Sequence, residues 1–172
     1  MENWQDLYKE LAEKITDKMP QISWVDLWHN QVSFLADEHR FNTPAVFIGL
    51  RSARIEDTAE RVQLVHLQVD FYLFYETYLD TFQGAYNQEG ALAFTQSLET
   101  LHGIFHASEG NNYSSMRRID FAPIDTGGAG NLYKVSFECI LNDSSAEKYY
   151  EDTQIKADIE SEDSYFLSVT PD

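Results

Sequence analysis

The chain carries one cysteine, Cys139, in 172 residues. A lone thiol closes no intrachain disulfide and supplies no cysteine zinc cluster, which suits a reducing compartment. Basic residues are scarce too: 12 Lys and Arg stand against 29 Asp and Glu, for a net charge of −17. Such a field repels phosphate backbones and argues against a sequence-reading nucleic-acid binder. No apolar run reaches the length of a bilayer span. The start, Met1-Glu2-Asn3-Trp4-Gln5-Asp6, is acidic where a secretion signal is basic, so the chain is expected to stay where it is made. There is no internal repeat at solenoid or propeller periods, which leaves a single non-repetitive globule. What the chain does have is apolar material, 43% hydrophobic and 14% aromatic. At this length one domain buries roughly two-thirds of its unfolded surface, so the body folds.

The periodicities sketch that fold. Asn3 is a candidate N-cap, and Trp4, Leu7, Tyr8, Leu11 and Ile15 follow at helical spacing up to Met19-Pro20. Ile22 to Trp28 has strand composition and is read as a strand followed by a loop. Pro44 to Leu50 reads as a strand led by a proline, and the charged stretch Arg51 to Glu60 as a connecting loop. From Arg61 to Tyr75 one parity is apolar throughout, the mark of a long strand with one buried face. Phe94, Leu98, Leu101 and Phe105 form a second helical stripe, which Gly110-Asn111-Asn112 is expected to stop. Met116 to Asp125 and Leu132 to Leu141 read as two strands joined by a glycine-rich loop. The pattern predicts an α+β fold, a mainly antiparallel sheet of about five strands with two helices packed on one face. Residues 1–142 are expected to form that single domain and 143–172 an acidic, mobile tail.

Motifs of chemical interest are few. Asp125-Thr126-Gly127 matches the tripeptide of aspartic proteases, but glycines follow it where a supporting apolar segment is needed, and a hairpin loop accounts for it better. Glu99, His102 and His106 lie at i, i+3 and i+7 on one helical face, a carboxylate and two imidazoles that would suit a metal. The first helix offers Glu10 and Glu13 but no histidine to complete a two-helix site, so these three read as solvated flanks of the stripe. His66 and Asp70 share a parity of the long strand and read as surface residues. Cys139 shares a face with Phe137 and Leu141 and reads as an inert small hydrophobe. No catalytic residue, metal site or cofactor is therefore expected. Aromatics exceed what one small core requires, among them Trp24, Trp28, Phe74, Tyr75, Tyr78, Tyr149 and Tyr150. Trp24, Trp28, Tyr149, Tyr150, Tyr165 and Phe166 are the candidate interface residues, since aromatics concentrate where proteins meet.

The order of elements is a leading helix, the Pro44-Ala45-Val46-Phe47-Ile48 strand, the long Val62 to Tyr75 strand, the Phe94 to Phe105 helix and a terminal hairpin. It resembles the tail terminator, or tail completion, proteins of long-tailed bacteriophages up to about Leu141. The resemblance is one of pattern and carries no site residue. It implies a structural, non-enzymatic phage or prophage protein that closes the end of the tail tube as a ring, typically a hexamer. Its partners would be itself, the tail tube and the head connector, with no sequence-specific nucleic acid and no membrane. Its place would be the host cytoplasm during assembly and then the virion. An acidic subunit fits a DNA conduit whose lumen must not bind phosphate. The rival readings are a small α+β binding or adaptor protein and a metal-dependent enzyme using His102 and His106.

Overall fold

Helix spacing at the start of the chain becomes α1, Trp4–Lys18, in a computed structural model that describes residues 4–34, 41–77, 79, 81–126 and 130–147. Asp6 in the first turn and Lys18 in the last complement the helix dipole. Leu7, Leu11 and Ile15 are fully buried, one per turn, while Trp4 stays 43% exposed. The remaining elements are β1 (Trp24–Leu27), β2 (Ala45–Ala59), β3 (Val62–Tyr75), the single turn α2 (Gln88–Ala91), α3 (Ala93–Phe105), β4 (Ser114–Ile124) and β5 (Asn131–Asp143).

The five strands form one sheet in the order β1-β2-β3-β5-β4. Three pairings are antiparallel, and β1 runs parallel to β2 with Trp24 opposite Ala45 and Leu27 opposite Ile48. The chain is thus α+β, with a mixed, mostly antiparallel sheet and two long helices among the described residues. The parallel pair arises because the return from β1 passes through a short 3-10 turn at Gln31–Phe34 and a crossover instead of a tight hairpin.

Both helices lie on one face. Val65, Leu67, Val69, Phe71 and Leu73 of β3 turn inward to meet Leu7, Leu11 and Ile15 of α1 and Leu101 and Phe105 of α3, with Val135, Phe137, Cys139 and Leu141 of β5 completing the core. Phe105 stacks on Phe71 at 4.4 Å between ring centroids, and Phe137 meets Phe71 edge-on at 5.6 Å. A second, smaller cluster covers one end of the opposite face. There Val32, Ala45, Phe47, Phe74 and Leu132 are buried, with Trp28, Phe41, Tyr72 and Ile124 packed against them.

The stretch Arg51 to Glu60 is not a loop. It is the second half of β2, continuously paired with β3 from Arg51 opposite Gln68 to Ala59 opposite Val62, with register shifts at Ser52/Arg54 and Asp57/Ala59. Glu60 and Arg61 alone make the turn. The charges misled because this half lies on the sheet's edge, where among the described residues no helix covers it, no strand lies beyond it, and both parities meet water. The helix stop also moves: α3 ends at Phe105, where His106 turns to an extended backbone and Ala107 takes φ 58°. The last strand, β5, reaches Asp143, and the stretch 148–172, which holds most of the expected acidic tail, lies outside the described residues.

Candidate functional site

The aromatic surplus divides on inspection. Phe74 is fully buried in the second cluster. Tyr75 is half-buried, its hydroxyl 2.6 Å from Ser97 Oγ on α3. Trp28 is half-buried and stacked on Tyr72 at 3.9 Å with 8° between the rings, so one of its faces already has a partner within the chain. Trp24, on the short edge strand β1, is 38% exposed and presents part of its ring outward. Tyr78, Tyr149, Tyr150, Tyr165 and Phe166 lie outside the described residues.

The histidine pair borders a groove between α3 and the β4–β5 hairpin. Its lining includes Phe94, Leu98, Glu99 and His102 from α3, Arg118 and Phe121 from β4, and Tyr133 from β5, around about 450 Å³. Phe94 stacks on Tyr133 at 5.3 Å, and the Arg118 guanidinium sits 5.7 Å from the centre of the Phe121 ring. The imidazoles of His102 and His106 are 4.6 Å apart. His106 Nδ1 accepts the backbone N–H of Arg118 at 3.1 Å, and the buried His102 Nδ1 has no hydrogen-bond partner. Burial, then the charges of Arg118 and His106, hold His102 below the usual imidazole range. A cation placed here would meet Arg118, and one imidazole nitrogen is already engaged, so the pair is a poor metal ligand set. Among the described residues no three His, Cys, Asp or Glu side chains gather as a metal site. Sequence spacing found the two histidines but not Arg118, Phe121 and Tyr133, which only the β4–β5 pairing brings to them.

The sheet face away from the helices carries a polar chain. Arg51 Nη2 donates to Gln68 Oε1 at 2.5 Å, Gln68 Nε2 to Asp70 Oδ1 at 2.8 Å, and Ser136 Oγ to the same Asp70 oxygen at 2.5 Å. Asp70 is therefore a buried acceptor, only 9% exposed, and not the surface residue its polar neighbours suggest. Its strand partner Gly49 leaves room for the neighbouring Tyr72 ring, since a Cβ there would press on that ring at 3.3 Å. His66 keeps apart from Asp70, with Nε2 3.4 Å from Glu56 on the same sheet face. Asp125 is exposed just past β4, and Gly127 lies outside the described residues. Cys139 is buried, and burial followed by the nearby Glu138 charge pushes its thiol up to about 12, far from a nucleophile.

A third polar feature ties helix to loop. Glu10 of α1 accepts the backbone N–H groups of Asn111 and Asn112 at 2.9 and 3.0 Å and the Asn112 side chain at 2.8 Å, while Lys14 approaches it at 3.1 Å. Burial raises the Glu10 carboxyl, and these donors outweigh it, leaving the group below the ordinary glutamate range. Gly110 is required beside it, since a Cβ would run into the Glu10 carboxylate and the Tyr113 ring. This clamp is structural: it closes the α3–β4 connection onto α1.

Both edges of the sheet remain open among the described residues. β4 is one edge along its whole length. β1 covers β2 only from Ala45 to Ile48, so the rest of β2 is a free edge on the other side. Large apolar side chains stand on these edges: Ile55 is 51% exposed, Ile119 49% and Phe121 54%. No helix among the described residues is long and apolar enough to cross a membrane. No protein-family model matches the chain, and no curated protein matches it in sequence.

Proposed function

We propose that the protein is a structural, non-enzymatic component of a phage or prophage, a tail terminator or head–tail joining protein acting as a ring, of hexameric order, at the end of the tail tube. The observation that carries this reading is the order of elements: a leading helix, a strand into a long antiparallel hairpin, a helix over that hairpin, and a terminal hairpin. That is the order on which the resemblance to tail terminators rests. The two open edges support it, because a long uncovered edge with exposed apolar side chains is a liability in a monomer and an asset in an assembly. The net charge of −17 supports a conduit that DNA passes without sticking. On this reading the protein meets itself, the tube and the head connector, works in the host cytoplasm and ends in the virion.

The test is whether the purified protein caps tubes formed by the tail-tube protein encoded near it. Rings at one end of each tube in electron micrographs are the expected result, and a genome neighbourhood without connector or tube genes would count against it. The groove between α3 and the β4–β5 hairpin favours a second reading, a small binding or adaptor protein. His102→Ala, on α3 and away from both sheet edges, separates the two. It alters the groove's helical wall and weakens ligand binding in an adaptor, but leaves tube capping intact if the ring reading holds.

A further inference from the structure

The two open edges of this sheet have complementary sequences. We propose that copies of the chain join edge to edge, with β4 of one copy adding antiparallel to the free half of β2 in the next. The inference rests on the ring reading and names its contact.

Residues 117–120 of β4 read Arg-Arg-Ile-Asp, and residues 54–57 of β2 read Arg-Ile-Glu-Asp. Laid antiparallel, base meets acid and isoleucine meets isoleucine. Sheet pairings fix which face each side chain occupies, because directly opposed residues share a face. Arg54 pairs with His66, Glu56 with Leu64, Arg117 with Glu138 and Asp120 with Ser136, all on the face away from the helices. Ile55 pairs with Val65 and Arg118 with Phe137, both on the helix face. The shift between Arg118 and Asp120 makes Ile119 the extra residue of a bulge, so Arg118 and Ile119 together oppose one residue of a partner strand.

One register satisfies every face. Asp120 stands opposite Arg54, the Arg118-Ile119 bulge opposite Ile55, and Arg117 opposite Glu56. Two ion pairs of correct sign then lie on one face, and the half-exposed Ile55 and Ile119 cover each other on the other. A slip of one residue would set these side chains on opposite faces, so the charges fix register as well as partner. Strand directions agree with a head-to-tail contact: β2 and β4 run antiparallel at opposite sides of the sheet, so each copy offers one edge and receives the other. Such a heterologous contact closes into a ring when its rotation divides a full turn. Within a single chain Glu56 already holds Arg54 at 2.9 Å, which keeps both charges at the edge where the next copy would arrive.

The experiment uses the full chain and reads its mass by light scattering, with thermal melts to confirm folding. Arg54→Glu and Asp120→Arg should each reduce the assembly to single chains, and the two changes combined should restore it, because the ion pair is then reversed. A second measurement is independent of charge. Ile55→Cys with Ile119→Cys, oxidised, should give a ladder of linked chains that ends at the ring's copy number, whereas either change alone gives none, Cys139 being buried. Full-size rings that neither charge variant disturbs and that yield no ladder overturn this contact and leave the ring reading standing. A wild-type chain that is single at every concentration overturns both.

Discussion

The two halves of β2 belong to one strand and one hairpin, yet they differ in almost every respect. Ala45 to Ile48 are fully buried, with β1 on one side, β3 on the other and a hydrophobic cluster on each face. Among the described residues Arg51 to Ala59 have β3 on one side only and are exposed apart from Glu56, which is half-buried. Backbone pairing is continuous through both. The difference teaches that a strand is held by its neighbour's hydrogen bonds, and that hydrophobicity reports only what covers it. The second half has the length and geometry of a central strand and the covering of an edge.

Substitutions sharpen that contrast. The largest effect belongs to the covered face, where Phe105→Ala removes a ring stacked on Phe71 and should cost about 3 to 5 kcal/mol, read as a lower denaturant midpoint. Ile48→Ala, in the covered half of β2, should cost about 2 to 5 kcal/mol for the same reason, a cavity added to lost transfer energy. An Ile48→Ala loss near zero would break the comparison.

Glu10→Gln comes next, at about 1 to 3 kcal/mol, because it removes the charge that three donors and Lys14 address. This loss depends on pH with a definite sign. The folded carboxyl titrates below its unfolded value, so its stabilisation is complete above that unfolded value, about 4.3, and disappears as pH falls through the lower folded value. Melting temperatures of wild type and Glu10→Gln should therefore converge in acid and separate at neutral pH. A constant gap would assign the effect to packing. The smallest change is Ile55→Ala, in the uncovered half of β2, which should alter the stability of the single chain by no more than about 0.5 kcal/mol.

Much of this fold was legible. The stripes Leu7, Leu11, Ile15 and Leu98, Leu101, Phe105 gave two helices, and the alternation from Val65 to Leu73 gave the central strand, because each of these elements buries one face against a single core. The uncovered half of β2 was not legible, since periodicity records burial and none of the described elements buries it. The strand within Ile22 to Trp28 was legible, but its parallel pairing with β2 was not, because Trp24 to Leu27 is four residues long and half-exposed and the crossover to β2 carries no periodic signal. For the candidate site the sequence supplied His102 and His106 at helical spacing. Their neighbours Arg118 and Tyr133 come from strands 12 or more residues away, and no local pattern points to them. Phe74 was counted among surplus aromatics because the second cluster that buries it, built from Val32, Phe47 and Leu132, has no periodic signature.

The proposed contact pairs the free half of β2 with a neighbouring copy. Hydrogen exchange on the assembled protein tests this most directly. Slow exchange over residues 54–57 and 117–120 in the assembly, becoming fast in the Asp120→Arg variant while the amides of α1, α3 and β3 stay slow, is the predicted result. Fast exchange over both segments in an assembly of undiminished mass would contradict it.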